Sequence, residues 1–334
     1  MLSISIIWLI KQLYFFLVIV VPLLIAVAFF TLAERKIMAA MQRRSGPHIV
    51  GFWGLLQPFA DGLKLLTKQT IVPNKSQRLL FLLAPVYTFA LALTAWAIIP
   101  YEENIALANI SLGVIYLLAV STLSVYGIII AGWASNSKYA FLGALRAAAQ
   151  IISYDVSLAL ILLSLIIITG SCNLTDLVIV QQKCWFIVPF WPLAFIFFVS
   201  SLAETNRAPF DLTEAEAELV AGYNVEYSAV GFTLFFLAEY ANILLISIYT
   251  VILFCGGWLP ITTIFPFSLI SGSWWLALKT IGLVFLFIWT RATLPRFRYD
   301  QLITLGWKVF LPIALLFYVL VHVLFVLNFF LVNL

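Results

Sequence analysis

Residues 12–33 read QLYFFLVIVVPLLIAVAFFTLA, a run with no charge in it. As a helix rising 1.5 Å per residue it reaches about 33 Å, enough to cross the hydrocarbon core of a bilayer. Runs of the same kind recur at 79–101, 104–137, 156–175, 184–203, 240–278, 280–290 and 309–334. Of the 334 residues, 64% are hydrophobic and only 10% charged, against roughly 25% charged in soluble domains. Eighteen Lys and Arg with 14 Asp and Glu cannot cover a globule carrying 29 Phe and 11 Trp. The chain is therefore an integral membrane protein, and an ordinary soluble enzyme, a disulfide scaffold and a disordered segment are excluded. Cys172, Cys184 and Cys255 lack C-x-x-C spacing, and His48 and His322 lie far apart. No metal cluster, zinc site or bis-histidine haem is expected from that inventory.

The charge-free runs predict an all-α polytopic fold, a single membrane domain over 1–334. Eight transmembrane helices are expected at about 9–33, 79–99, 112–133, 149–170, 185–203, 228–254, 273–293 and 309–331. The seventh requires Lys279 to snorkel to the interface, and the two-proline stretch Trp258 to Ile270 reads as a short re-entrant piece or a shifted boundary. Inner-side loops fall at about 34–78, 134–148, 204–227 and 294–308. Under this topology 15 of the 18 basic residues lie on the inner side, all but Lys11, Lys183 and Lys279, which directs both termini outward. The first run is too long for a signal-peptide core and lacks a small-residue cleavage site, so it is expected to stay as a span, with no presequence.

The inner loops carry the polar chemistry. Within 34–78, Leu56, Phe59, Leu63 and Leu66 share one helical face, while Gln57, Asp61, Lys64 and Lys68 share the other. That is an interfacial amphipathic helix, either a passive surface anchor or part of a site. Between Glu204 and Glu226 lie Asp211, Glu214, Glu216 and Glu218 against one base, Arg207. DLTEAEAEL reads as a short helix with Asp211, Glu214 and Glu218 on one face. Two more acids lie inside spans: Asp155 about six residues into span four, and Glu239 near the middle of span six. Acids at that depth are costly and mark a proton or ion path or a buried partner. A water-linked carboxylate chain and a set of hydrogen-bonded packing acids both fit. The motifs for nucleotide binding, G-x-G-x-x-G and G-x-x-x-x-G-K-[ST], do not occur, and the basic residues are spread over four loops, so no nucleic-acid partner is expected.

Six stretches resemble one family: AERK at 33–36, QRRSGPHIVGFWGLLQPFADGLKL at 42–65, GWASNSKYAFLGALRAAAQIISYDVS at 132–157, LAETNRAPFDLTEAEAELVAGYNVEYS at 202–228, LAEY at 237–240 and RATLPRFRYDQL at 291–302. They are similar to subunit 1 of NADH:quinone oxidoreductase, a membrane component of respiratory complex I with a counterpart in the bacterial enzyme. LAETNRAPFDL followed by acids is the most specific of them. The resemblance implies a subunit that forms much of the ubiquinone chamber and couples quinone reduction to proton translocation. It implies ubiquinone as substrate and no cofactor bound by this chain, with FMN and iron–sulfur clusters in partner subunits. It also implies as partners the other membrane subunits, the quinone-module subunits of the peripheral arm, and lipid, and activity only within the assembled translocase. By matching motifs, Glu34, Arg35, Lys36, Gln42, Arg43 and Asp61 would line the quinone chamber and its entrance. Asp155, Glu204, Asp211, Glu214, Glu216, Glu226 and Glu239 would form the proton path, with Arg146 beside it. Arg207, Arg291, Arg296 and Arg298 would seat peripheral subunits or pair with these acids. One departure stands out: the family pattern in span four reads SYE, and here it is Ser153-Tyr154-Asp155. The mitochondrial inner membrane is the expected location, with a bacterial plasma membrane as the alternative. A secondary transporter with intramembrane carboxylates and a structural anchor for a redox arm are the competing functions.

Overall fold

In the computed structural model, residues 2–103, 105–211, 222–261 and 270–332 are described, with side chains from 14 to 327. Glu214, Glu216 and Glu218 lie outside the described residues, as does most of the stretch between Trp258 and Ile270. The described residues form helices with no strand, only an isolated bridge between Glu102 and Ile105. In chain order the helices are α1 Leu2–Met41, α2 Gln57–Thr67, α3 Arg78–Trp96, α4 Gly113–Ala134, α5 Lys138–Thr169, α6 Leu174–Val180, α7 Trp191–Glu204, α8 Ala229–Phe254, α9 Gly272–Thr293, α10 Tyr299–Leu305 and α11 Leu311–Val332. A π-helical turn, Gly306–Phe310, joins α10 to α11.

Among the described residues 7 helices are long and apolar enough to cross a membrane, so the fold class holds, while the count of eight is not established. The difference is α7. It has 14 residues, about 21 Å at 1.5 Å per residue, short of the roughly 30 Å core. Pro189 disfavours helix at Val188, and Pro192 suits a helix start, so helix begins at Trp191 instead of 185.

Two further boundaries move inward. The helix of α1 continues to Met41, because ERKIMAAM contains strong helix formers and nothing breaks it before Gly46. Glu34, Arg35 and Lys36 therefore stand on a helix and not in a loop. Likewise α5 starts at Lys138, not 149, which shortens the expected loop 134–148 to a tight turn. It ends at Gly170 in the left-handed region (φ 69), the usual glycine C-terminus. Lys279, expected near one end of its span, turns its head group to the segment that follows α8. Its Nζ donates to the carbonyls of Cys255 (2.7 Å), Gly257 (3.0 Å) and Leu259 (2.6 Å) at the end of α8.

The centre of the bundle is α5, packed against α4, α7 and α11, with Tyr154, Ile161, Leu162 and Leu165 fully buried. On the other side α8 packs on α3, α9, α1 and α2. Close approach depends on small residues, as is usual between helices in lipid. A Cβ on Gly127 of α4 would stand 2.1 Å from the Thr88 methyl of α3, and one on Gly132 would stand 2.4 Å from Ala144 of α5. The expected amphipathic helix is α2. Its Leu56–Leu66 face is exposed, and Phe59 meets Phe29 of α1 edge to face at 6.1 Å between centroids.

Candidate functional site

Two polar groupings are built from the C-terminal parts of α1, α7 and α9 and from the middle of α8. The first is built on Arg207, in the turn after α7. Its Nε lies 2.9 Å from Glu239 Oε1 on α8, and its Nη1 lies 3.4 Å from Glu34 Oε1 on α1. Arg291 of α9 also pairs with Glu34 Oε1, and the Tyr240 hydroxyl donates to Glu34 Oε2 at 2.6 Å. The Arg207 guanidinium stacks over the Tyr240 ring at 4.3 Å. Burial alone would lower the pKa of Arg207. The Glu239 carboxylate, the Tyr240 hydroxyl and the Glu34 carboxylate reverse that and raise it, so the guanidinium stays charged. Four chain segments far apart in sequence are thereby held by two acids and two arginines.

Consecutive residues on α1 face different environments, because adjacent helical side chains point about 100° apart. Glu34 is buried, whereas Arg35 reaches out to Asp61 of α2 at 2.7 Å, with Gln57 donating to the second carboxylate oxygen at 2.9 Å. Lys36 donates to the Trp53 carbonyl and holds the turn before α2. Gln42 and Arg43 are exposed where α1 ends, Arg43 with a positive φ of 55. The six residues expected at the quinone chamber thus divide: Glu34 belongs to the buried ion network, and the others lie at the surface around α2.

The second grouping holds Glu204 and Asp155. Glu204 ends α7 within hydrogen-bond reach of Ser121 on α4, and its charge interacts with that of Asp155 on α5. No ion pair among the described residues gives either acid a basic partner. Asp155 is buried with its Oδ1 unpartnered. Glu204 borders two cavities of about 40 and 50 Å³, and the second of these also reaches Glu239. Each has room for water, since one molecule needs about 10–15 Å³. The other expected acids are placed differently. Asp211 pairs with Arg296 at 3.2 Å, and Glu226 is a half-buried loop residue. Arg146 lies over the Tyr299 ring at 5.7 Å, and Arg298 pairs with Asp300 at 3.2 Å on the surface.

Sequence reasoning missed several contributors. Gln150 of α5 is buried and donates to the carbonyls of Ala203 (2.8 Å) and Phe210 (2.9 Å), fixing both ends of the turn that carries Glu204 and Arg207. Tyr240 stands in the LAEY motif with no role expected of it. Ser121, Ser124 and Asn242 sit in apolar runs. The available signal was polarity inside a span: Asn242 follows Glu239 at i+3 and shares its helical face. Among the described residues no three His, Cys, Asp or Glu side chains are grouped to hold a metal.

Comparison with known proteins assigns this framework. A family model described as NADH dehydrogenase matches residues 14–322. The NADH-ubiquinone oxidoreductase chain 1 of Chondrus crispus is 59% identical over 302 residues, 89% of this chain and 91% of that relative. The protein of the same name from Arabidopsis thaliana is 58% identical over 297 residues, covering 89% and 91%. A bacterial relative, an NADH-quinone oxidoreductase subunit of Paramagnetospirillum magneticum, is 60% identical over 306 residues, covering 90% and 88%.

Proposed function

The chain belongs to the NADH dehydrogenase family, with mitochondrial and bacterial relatives named as components of NADH–quinone oxidoreductases, and from that premise we propose that it forms a quinone chamber and carries protons away from it. It is a multi-pass subunit of a respiratory NADH–quinone oxidoreductase in a mitochondrial inner or bacterial plasma membrane. Its partners are other subunits of that complex. The observation that carries the proposal is the series of polar groups running from the surface into the bundle: Asp61–Arg35 at the surface, Glu34–Arg207–Glu239 beneath it, then the water-sized cavities at Glu204 and the buried Asp155.

Reduction of a quinone to quinol takes two electrons and two protons. FMN and iron–sulfur clusters in partner subunits supply the electrons, and this chain supplies surfaces and acids. The exposed leucines of α2 with Phe59 give an apolar edge for the isoprenoid tail. The Arg35 guanidinium offers N–H donors to a quinone carbonyl. The change of charge in the chamber when protons are consumed shifts Arg207 between Glu34 and Glu239, and Glu239, Glu204 and Asp155 then take up or release protons through cavity water. The test is Glu204→Gln in an intact complex: the volume is kept and the titrating proton lost. Quinone reductase activity and proton uptake are expected to fall together, by about tenfold or more, with NADH:ferricyanide activity unchanged. A Gln variant that assembles and pumps at the wild-type rate would overturn the proton route.

A further inference from the structure

The two cavities at Glu204 have four side chains in common: Ser124 of α4, Glu204, Thr205 and Asn242 of α8. The hydrogens of both hydroxyls are committed to their own helices. Ser124 Oγ donates to the Ser121 carbonyl at 2.6 Å, and Thr205 Oγ1 to the Ser201 carbonyl at 3.0 Å, the common local bond of Ser and Thr in helices. Towards the cavities these hydroxyls present only lone pairs, and a carboxylate presents only lone pairs too. Asn242 is different. Its amide makes no hydrogen bond with the described residues and lines both cavities, so it brings two N–H donors and one carbonyl acceptor to the water space.

We propose that Asn242 is a positioning residue for proton transfer between Glu239 and Glu204, holding the water that links them. The inference rests on the carboxylate route proposed above and adds to it a group that cannot titrate. Asn242 lies one turn beyond Glu239 on α8 and lines the same cavity as Glu239 and Glu204, so a water held there by its amide would join the two carboxyl groups. In the step itself a carboxylic O–H at one glutamate breaks as its proton passes to the water oxygen. An O–H of that water breaks as its proton joins the carboxylate of the other glutamate. The water is regenerated and one proton has moved. The amide serves in either direction because it donates to the water oxygen or accepts from a water hydrogen without changing its own charge.

The experiment uses the assembled complex in membrane vesicles, with Asn242→Leu, close in volume but apolar, against Asn242→Ser, smaller but hydrogen-bonding. The Leu variant is expected to lose about tenfold or more of coupled quinone reduction and proton uptake, with quinone KM and NADH:ferricyanide activity unchanged. The Ser variant, which admits water and can donate to it, should stay within about threefold of wild type. A Leu variant with wild-type turnover and pumping overturns the proposal, as does a Ser variant as impaired as Leu, because then volume and not water is what the site needs. If the Leu variant does not assemble, Asn242→Ala takes its place: Ala below Ser supports the proposal, and Ala equal to Ser overturns it. Glu204→Gln measured alongside separates the two levels. Full activity there removes the carboxylate route and this inference with it, whereas an inactive Glu204→Gln beside a fully active Asn242→Leu removes only the inference.

Discussion

Glu34 and Glu204 both lie towards the C-terminus of a helix, one near the end of α1 and the other at the last residue of α7, and their neighbours differ in kind. Glu34 receives two guanidiniums and a tyrosine hydroxyl. Glu204 receives a serine, two water-sized cavities and the charge of a second acid, Asp155. A carboxylate between two arginines is fixed as an ion and works as a joint between helices. A carboxylate that borders room for water, with no cation to fix it as an ion, can exchange its proton. The two environments lie on either side of one turn, 205–210, which Gln150 pins from α5. A change of charge in the paired region therefore has a short mechanical and electrostatic route to the unpaired one.

The largest effect is expected from breaking the joint. Arg207→Ala leaves Glu34 short of one partner and Glu239 without its guanidinium in buried surroundings, a loss of about 3–5 kcal/mol. Blue-native gels should show little assembled complex, and Arg207→Lys should restore it only in part, because an ammonium lacks the fork that reaches Glu34 and Glu239 together. Normal assembly of the Ala variant would mean that the ion network is not the joint.

Asp155 sharpens the other side of the comparison. Asp155→Asn is expected to cut NADH-driven proton uptake in vesicles by about tenfold, whereas Asp155→Glu, which restores the SYE pattern, should be tolerated. If Asp155 only packs, the order reverses: Asn is harmless, and Glu inserts an extra methylene into a filled site at about 1–3 kcal/mol. A fully active Asp155→Asn would remove this residue from the path.

The link between the regions should give an intermediate effect. Gln150→Leu removes the donors to Ala203 and Phe210 and leaves two buried carbonyls short, about 1–3 kcal/mol. Thermal inactivation should come several degrees earlier, and the ratio of protons moved to NADH oxidised should fall if the turn couples the two acid environments. A lower melting temperature with an unchanged ratio would confine Gln150 to stability.

The smallest structural effect belongs to the surface pair. Arg35 and Asp61 are 48% and 38% exposed, and such a pair contributes at most about 1 kcal/mol. Arg35→Ala should leave assembly intact and raise the quinone KM several-fold, read as quinone titrations at constant NADH. Unchanged quinone kinetics would detach this pair from the chamber.

Much of this protein is legible in its sequence. Charge-free runs of bilayer length are sufficient for an all-α membrane fold, because lipid leaves the backbone no other way to satisfy its hydrogen bonds. The amphipathic face of α2 follows from residue spacing, and the acids of the site are conspicuous because so few charges exist. Helix ends were less legible. Residues 34–41 and 138–148 look like loop because they are charged or mixed, yet they are good helix formers and simply continue α1 and α5. The short α7 needed the reading of Pro189 and Pro192 as a late start.

Pairing is where the linear chain has no say. Glu34, Arg35 and Lys36 are consecutive letters with three different fates, an internal ion network, a surface pair and a turn carbonyl. Their directions follow from helical geometry, but what stands in those directions depends on how α2, α8 and α9 pack around α1. Residues 34, 207, 239 and 291 meet through packing of helices separated by up to 257 positions, and periodicity within one helix carries no information about which face another helix presents. The same holds for the water space at Glu204, a property of the gap between α3, α4, α7 and α8 and of no single segment. The order of residues is enough to put this chain in a membrane and to give it costly acids there. Which of those acids received a cation, and which received room for water, was settled by the packing of helices that are distant in the chain.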